Sequence, residues 1–189
     1  MKRTRTFIAL DPGKAILDRV VALQETLGKS GADVKWVEPE NLHLTLLFLG
    51  EVDQRDLTPV CRAVSDSAAG LAAFPISVEH AGAFPNVRRP RTLWVGVGTG
   101  AQEVTALHDA LEPPLLDLGC YRREERGFTP HMTLGRVRAD GGSDALASAL
   151  AKAAAWKGGD TIIREVLVMG SELTPKGPVY TVLSRAKLA

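Results

Sequence analysis

Apolar positions along the chain alternate in some stretches and recur every third or fourth residue in others, and the two patterns take turns. Phe7-Ile8-Ala9-Leu10 predicts a first strand. Asp11 as N-cap and Pro12 at the first helical position then open a helix. Ile16, Val20, Leu23 and Leu27 form its buried stripe, and Gly28 to Gly31 end it. Val34 to Val37 is a short extended piece, and Pro39-Glu40-Asn41 turns into a strand from Leu42 to Leu49, bracketed by Asn41 and Gly50. That strand is apolar on both faces apart from His43 and Thr45, the pattern of a central, covered strand. A second helix is expected from Asp53 to Ala72, with Pro59 in its first turn. Ile76 to Gly82 and Thr92 to Val97 read as a strand pair around a Pro- and Arg-rich loop. Val104, Leu107 and Leu111 mark a third helix, which Pro113-Pro114 either ends or kinks. Tyr121 to Arg126 is a charged loop, and a strand follows from Phe128 to Val137. Ser143 begins a fourth, Ala-rich helix to Trp156, stopped at Gly158-Gly159. Two last strands, Thr161 to Met169 and Pro178 to Leu183, flank a turn at Thr174-Pro175-Lys176-Gly177.

One pattern occurs twice. His43-Leu44-Thr45-Leu46 comes back 88 residues on as His131-Met132-Thr133-Leu134. In a strand, residues i and i+2 share a face. His43 and Thr45 therefore point one way, as do His131 and Thr133, while the intervening apolar residues bury the other face. The order of elements around each motif is the same, which marks a structural duplication and not a short-period repeat. The expected architecture is α+β: a single bilobal domain over 1–189, its motifs at 43–46 and 131–134. Two pseudo-symmetric lobes, each an antiparallel-rich sheet with helices on its outer side, would flank a central cleft.

Composition narrows the class. Hydrophobic residues make up 45% and charged residues 24%, ordinary values for a soluble globular enzyme. A net charge of +1 lacks the basic excess of a broad nucleic-acid binder, though it permits a small basic pocket. Cys61 and Cys120 have neither metal-type spacing nor a secreted-type framework, so reduced thiols in a cytoplasmic protein are expected. The first apolar run is too short for a signal segment or a membrane span.

Two imidazoles facing one cavity can serve as general base and general acid, since a pKa of about 6.5 suits both roles. The threonine hydroxyls beside them can donate hydrogen bonds to anionic oxygens without adding charge. In-line displacement at phosphorus needs a base on one side and an acid on the other, and a pseudo-symmetric cleft supplies both without a metal or other cofactor. A zinc site is not expected, because only two candidate ligands converge where zinc takes three or four.

These residues resemble the 2H phosphoesterases, in particular the RNA 2′,3′-cyclic phosphodiesterases first described as 2′-5′ RNA ligases. The likeness rests on His43-Leu44-Thr45-Leu46-Leu47-Phe48-Leu49-Gly50 and on Phe128-Thr129-Pro130-His131-Met132-Thr133-Leu134-Gly135-Arg136-Val137. Phe84-Pro85, Arg88-Arg89-Pro90-Arg91 and Leu93-Trp94-Val95-Gly96 support it. The resemblance implies opening of a ribose 2′,3′-cyclic phosphate at an RNA 3′ end, or on a small nucleotide, to a 2′-phosphate; a monomer is expected. It implies His43 as proton donor and His131 as proton acceptor; the residues alone do not divide these roles. Reversed, with an RNA 5′-hydroxyl as partner, the pair would make a 2′-5′ linkage without ATP. Two other readings are a phosphodiesterase for another small cyclic nucleotide or 2′-5′ oligonucleotide, and a non-catalytic module that binds RNA ends.

Around the motifs the expectations are less specific. Arg136 and Phe48 each lie five residues past a motif histidine, so regular alternation puts both on the opposite face unless a bulge intervenes at Gly135. Phe48 is expected in the core. Arg136 either neutralises phosphate or is solvated. Arg88, Arg89 and Arg91, and Arg122, Arg123 and Arg126, either steer an RNA end or are merely solvated. His80 and His108 lack a threonine partner and are expected to be structural or surface residues. Trp36, Trp94 and Trp156 are expected to pack in the core or between lobes.

Overall fold

The computed structural model describes residues 2–123, 127–138, 143–175 and 177–189. The first half runs β1 (Arg3–Leu10), α1 (Lys14–Gly28), β2 (Val34–Trp36), β3 (Leu44–Asp53), α2 (Leu57–Ala69) and β4 (Phe74–Phe84). The second half runs β5 (Thr92–Val97), α3 (Ala101–Asp117), β6 (His131–Val137), α4 (Asp144–Lys152), β7 (Lys157–Ile163), β8 (Glu165–Thr174) and β9 (Gly177–Lys187).

All the strand pairings among the described residues are antiparallel, in the order β7-β4-β5-β6-β3-β1-β8-β9, with β2 added alongside β6. The centre of that order is its thinnest point. β6 and β3 share one ladder pair, Leu44 with Met132, whereas the pairs to either side are long. The sheet is thus two four-strand lobes joined at a seam, β7-β4-β5-β6 on one side and β3-β1-β8-β9 on the other. A pseudo-two-fold through Leu44 and Met132 exchanges β3 with β6, β1 with β5 and β8 with β4. Helices α2 and α3 pack against the β3-side lobe, and α1 and α4 against the other. One continuous apolar core runs under both lobes, with Leu10, Leu44, Leu47, Leu93, Met132 and Leu134 among its buried members. The seam is therefore weak in backbone bonds and strong in burial.

Several element boundaries differ from the pattern reading. Asp11-Pro12-Gly13 forms a turn before α1, with Asp11 Oδ1 accepting from the Gly13 N–H at 2.8 Å and Gly13 at φ 85°. The chain needs that reversal to carry α1 across to the other lobe, so the helix begins at Lys14. Gly50 does not end β3; it sits inside the strand at φ 72°. α3 passes through Pro113 and Pro114, and its last turn is held down by the fully buried Leu115. Ser143 does cap α4, its Oγ accepting from the Leu146 N–H at 3.1 Å. That helix stops at Lys152, and Gly158 and Gly159 belong to strand β7. A Cβ on Gly158 would lie 2.4 Å from the Trp156 ring, so glycine there serves a close packing contact. The stretch expected as one strand from Thr161 to Met169 is two, divided at Arg164, and the two pieces go to opposite lobes.

Candidate active site

The register at the seam builds the site. Leu44 and Met132 face each other across antiparallel strands, and both side chains are buried in the core. The residues one step away on each strand therefore share the opposite face, with His43 beside Thr133 and Thr45 beside His131. In a regular antiparallel pair such opposed residues lie about 4.5–5.5 Å apart at Cβ, and the diagonal pair, His43 with His131, about 7–8 Å. All four expected residues are half-buried, on the face of the seam that turns away from the core.

Each imidazole is aimed by the backbone two residues before it. His43 Nδ1 lies 2.7 Å from the Asn41 carbonyl oxygen, and His131 Nδ1 lies 2.7 Å from that of Thr129. A carbonyl only accepts, so Nδ1 carries the hydrogen in both rings, and Nε2 is left as the reactive atom. The Thr45 hydroxyl, 2.8 Å from His43 Nε2, donates to it. Asn41 is itself buried and donates from Nδ2 to the Pro178 carbonyl at 3.0 Å, which ties the His43 turn to β9. On the other strand, buried Gln24 donates to the carbonyls of Val37 and Leu134 at 2.9 and 2.8 Å, fixing α1 onto β6.

Aromatic rings distinguish the two half-sites. Phe7 stacks on His43 at 4.8 Å, and Tyr180 meets it edge-on at 5.5 Å. Burial between them holds the His43 pKa below its ordinary value, against the raising effect of the Asn41 carbonyl. His131 has one ring neighbour among the described residues, Phe84, edge-on at 5.1 Å. None of Phe7, Phe84, Tyr180 or Asn41 was marked as a site residue by the sequence. The three rings come from β1, β4 and β9, and only long-range pairing brings them in. Asn41 was visible at motif position −2, read only as a turn.

Phe48 and Arg136 correct the alternation argument. β3 is bulged against β1, because Ala9 pairs with Thr45 while Ile8 pairs with Leu47. Leu46 and Leu47 consequently both turn inward, and Phe48 returns to the face of His43. It is 41% exposed and not in the core, with the Arg5 guanidinium 4.9 Å over its ring. β6 is bulged in the same place, Trp94 pairing with Thr133 and Leu93 with Gly135. Arg136 thereby joins the face of His131, its Nη1 3.3 Å from Thr92 Oγ1. The two bulges are pseudo-symmetric, and each re-aims the fifth residue after its histidine.

The remaining candidates lie apart from the paired histidines. His108 stacks on Phe128 at 4.1 Å and bonds Asp109. His80, at φ 59°, bonds the Ala154 carbonyl and pairs with Glu79. Arg123 pairs with Glu112 at 2.7 Å, and Arg122 is exposed; Arg126 lies outside the described residues. Arg88, Arg89 and Arg91 sit on the exposed β4–β5 loop, next to Phe84 and Thr92. Among the described residues no three His, Cys, Asp or Glu side chains group as a metal site, and no helix is long and apolar enough to cross a membrane.

Two His-x-Thr strands meeting at a pseudo-two-fold seam, with both imidazoles set by backbone carbonyls, define a 2H phosphoesterase. The chain belongs to the LigT-like phosphoesterases, whose sequence model it matches twice, over residues 10–94 and 95–180. It is 38% identical over 179 residues to a Methanothermobacter thermautotrophicus protein named RNA 2′,3′-cyclic phosphodiesterase, covering 95% of this chain and 96% of that one. An Archaeoglobus fulgidus protein of the same name is 39% identical over 177 residues, covering 93% and 96%. Among solved structures, TT0787 of Thermus thermophilus superposes with a TM-score of 0.82 at 27% identity, over 97% of each chain. The fold is also that of Escherichia coli LigT complexed with 3′-AMP, with a TM-score of 0.77 at 22% identity over 100% of this chain and 99% of that one.

Proposed function

We propose that the chain hydrolyses RNA 2′,3′-cyclic phosphate ends to 2′-phosphates, using His43 and His131 as an acid–base pair and no metal. The observation that supports this is the seam register, which sets both motif histidines on one face of the sheet, with Nδ1 of each ring already committed. The relatives' names supply the substrate. The cyclic phosphate sits between the imidazoles, its non-bridging oxygens taking hydrogen bonds from Thr45 and Thr133 and a charge-assisted bond from Arg136. His131 Nε2 accepts the proton of the attacking water, and His43 Nε2 delivers one to the leaving 3′ oxygen. Phosphorus gains one bond and loses one, and the ring opens to a 2′-phosphate. With an RNA 5′-hydroxyl in place of the attacking water, the same two transfers form a 2′-5′ linkage and free the 3′-hydroxyl, without ATP. Water far outnumbers RNA ends, so hydrolysis dominates.

The test is an RNA ending in a 2′,3′-cyclic phosphate, assayed in EDTA with wild type, His43→Ala and His131→Ala. Wild type should give the 2′-phosphate, and each variant should lose at least about 100-fold. Full turnover in either variant would show that the reaction lies elsewhere. A 3′-phosphate product would put acid and base on the wrong ribose oxygen. Binding without turnover would leave an RNA-end binding module.

A further inference from the structure

The two ends of the cleft carry pseudo-equivalent positions with opposite chemistry. At one end is the exposed Phe48 ring, with Arg5 over its face. At the other is Arg136, and beside it the β4–β5 loop with Arg88, Arg89 and Arg91. This loop is folded by its own bonds. Asn86 Oδ1 accepts from the Arg88 and Arg89 N–H groups at 3.1 and 3.0 Å. Arg91 donates its N–H to the Phe84 carbonyl at 2.8 Å and accepts from the Val137 N–H at 3.0 Å. The loop is thereby fastened both to the residue that packs on His131 and to the strand that carries Arg136.

All four arginines are exposed, and among the described residues none makes an ion pair, whereas Arg3, Arg55, Arg123, Arg138 and Arg185 each do. No acidic residue occurs from Phe84 to Trp94. The chain has 23 Lys and Arg against 22 Asp and Glu; setting these four aside leaves the remainder net acidic. Four arginine charges thus cluster at this rim, three of them on a preordered loop that spends little entropy on binding an anion.

The covalent structure of a nucleotide matches this polarity. The base leaves the ribose at C1′, next to C2′, and the 5′ group leaves through C4′, next to C3′. With the 2′,3′-cyclic phosphate held between the histidines, base and 5′-phosphate extend in opposite directions. We infer that the 85–91 loop binds the phosphodiester backbone on the 5′ side of the terminal nucleotide, with the base toward Phe48. An oligonucleotide end is then preferred over a free mononucleotide. This rests on the proposed reaction for the position of the cyclic phosphate.

The experiment compares wild type with the triple variant Arg88→Ala/Arg89→Ala/Arg91→Ala on two substrates in EDTA. One is a pentanucleotide RNA ending in a 2′,3′-cyclic phosphate, the other a 2′,3′-cyclic mononucleotide. At low salt, wild-type kcat/KM should favour the pentanucleotide by about tenfold or more. That advantage should fall with salt at a log–log slope near −2, as for about three single-strand phosphates. The variant should lose the advantage and the slope while turning over the mononucleotide within about twofold of wild type, which also reports that it is folded. A retained preference, or equal loss on both substrates, overturns the inference. A second arm measures fluorescence-anisotropy affinity for the same RNA ending in a 2′-phosphate, expected about tenfold weaker in the variant. Unchanged affinity overturns the subsite. Absent turnover with affinity lost in the variant removes the proposed reaction and keeps the subsite.

Discussion

His43 and His131 occupy the same position in two copies of one motif, yet their surroundings differ. His43 lies between Phe7 and Tyr180, and desolvation lowers its pKa from the ordinary value of about 6.5. At neutral pH the empty site therefore holds it uncharged. A proton donor must be charged, so activity of the free enzyme falls as pH rises through that lowered value. A bound cyclic phosphate is an anion, favours the imidazolium and lifts the pKa. kcat/KM reports the free enzyme and kcat the complex. The alkaline limb of kcat should therefore stand at higher pH than that of kcat/KM, and pH-rate profiles from about pH 5 to 9 would read it. Coincident limbs would remove His43 from the donor role. The histidines and threonines were legible in the sequence because a four-residue pattern repeated in strand context fixes their common face. The rings that set the His43 pKa were not, since Phe7 and Tyr180 are 173 residues apart and nothing local links them.

At the scale of elements, the controlling feature is a pair of bulges that a period-two reading passes over. Strict alternation assigns Phe48 to the core, and the extra residue at Leu46-Leu47 returns it to the cleft. The sequence does carry a trace of this. Leu46-Leu47 and Leu134-Gly135 are adjacent inward positions in strands that otherwise alternate, and a consecutive inward pair is what a bulge produces. Gly135 is also required by packing, since a Cβ there would lie 2.7 Å from Val34 Cγ1 and 3.0 Å from the Lys35 carbonyl on β2. Because the bulge leaves Phe48 exposed on the face of His43, where the inferred subsite would place the base, Phe48→Ala should act on binding. Base stacking on an aromatic ring contributes about 1–3 kcal/mol, so KM for a cyclic nucleotide should rise by about tenfold with kcat little changed. A variant with lower kcat and unaltered KM would place the ring in the chemistry instead.

Across the whole molecule, the two sequence repeats are not the two lobes. The first half gives β1 and β3 to one lobe and β4 to the other; the second gives β5 and β6 to one and β8 and β9 to the other. Helices cross as well, α1 leaving β1 to pack on β7, and α3 leaving β5 to pack near β3. The duplication was readable from the order of elements around each motif, but the exchange of strands was not, because long-range pairing has no local signature. The arrangement has a consequence for folding. A chain cut between Thr99 and Gly100 yields a first fragment whose β3-β1 and β4-β5 pairs lack β6 to join them and β8 and β9 to extend them. Its apolar faces, including Leu44 and Leu93, would have lost the opposing half of the core. Neither fragment should fold alone, giving weak near-ultraviolet circular dichroism and no cooperative urea transition. Mixed together, they should regain one cooperative transition and, with it, phosphodiesterase activity, since each motif histidine sits on a strand that only the other half can complete. An independently folded fragment would mean that each repeat closes its own core, and the seam at Leu44 and Met132 would then be an interface between two domains and not the middle of one.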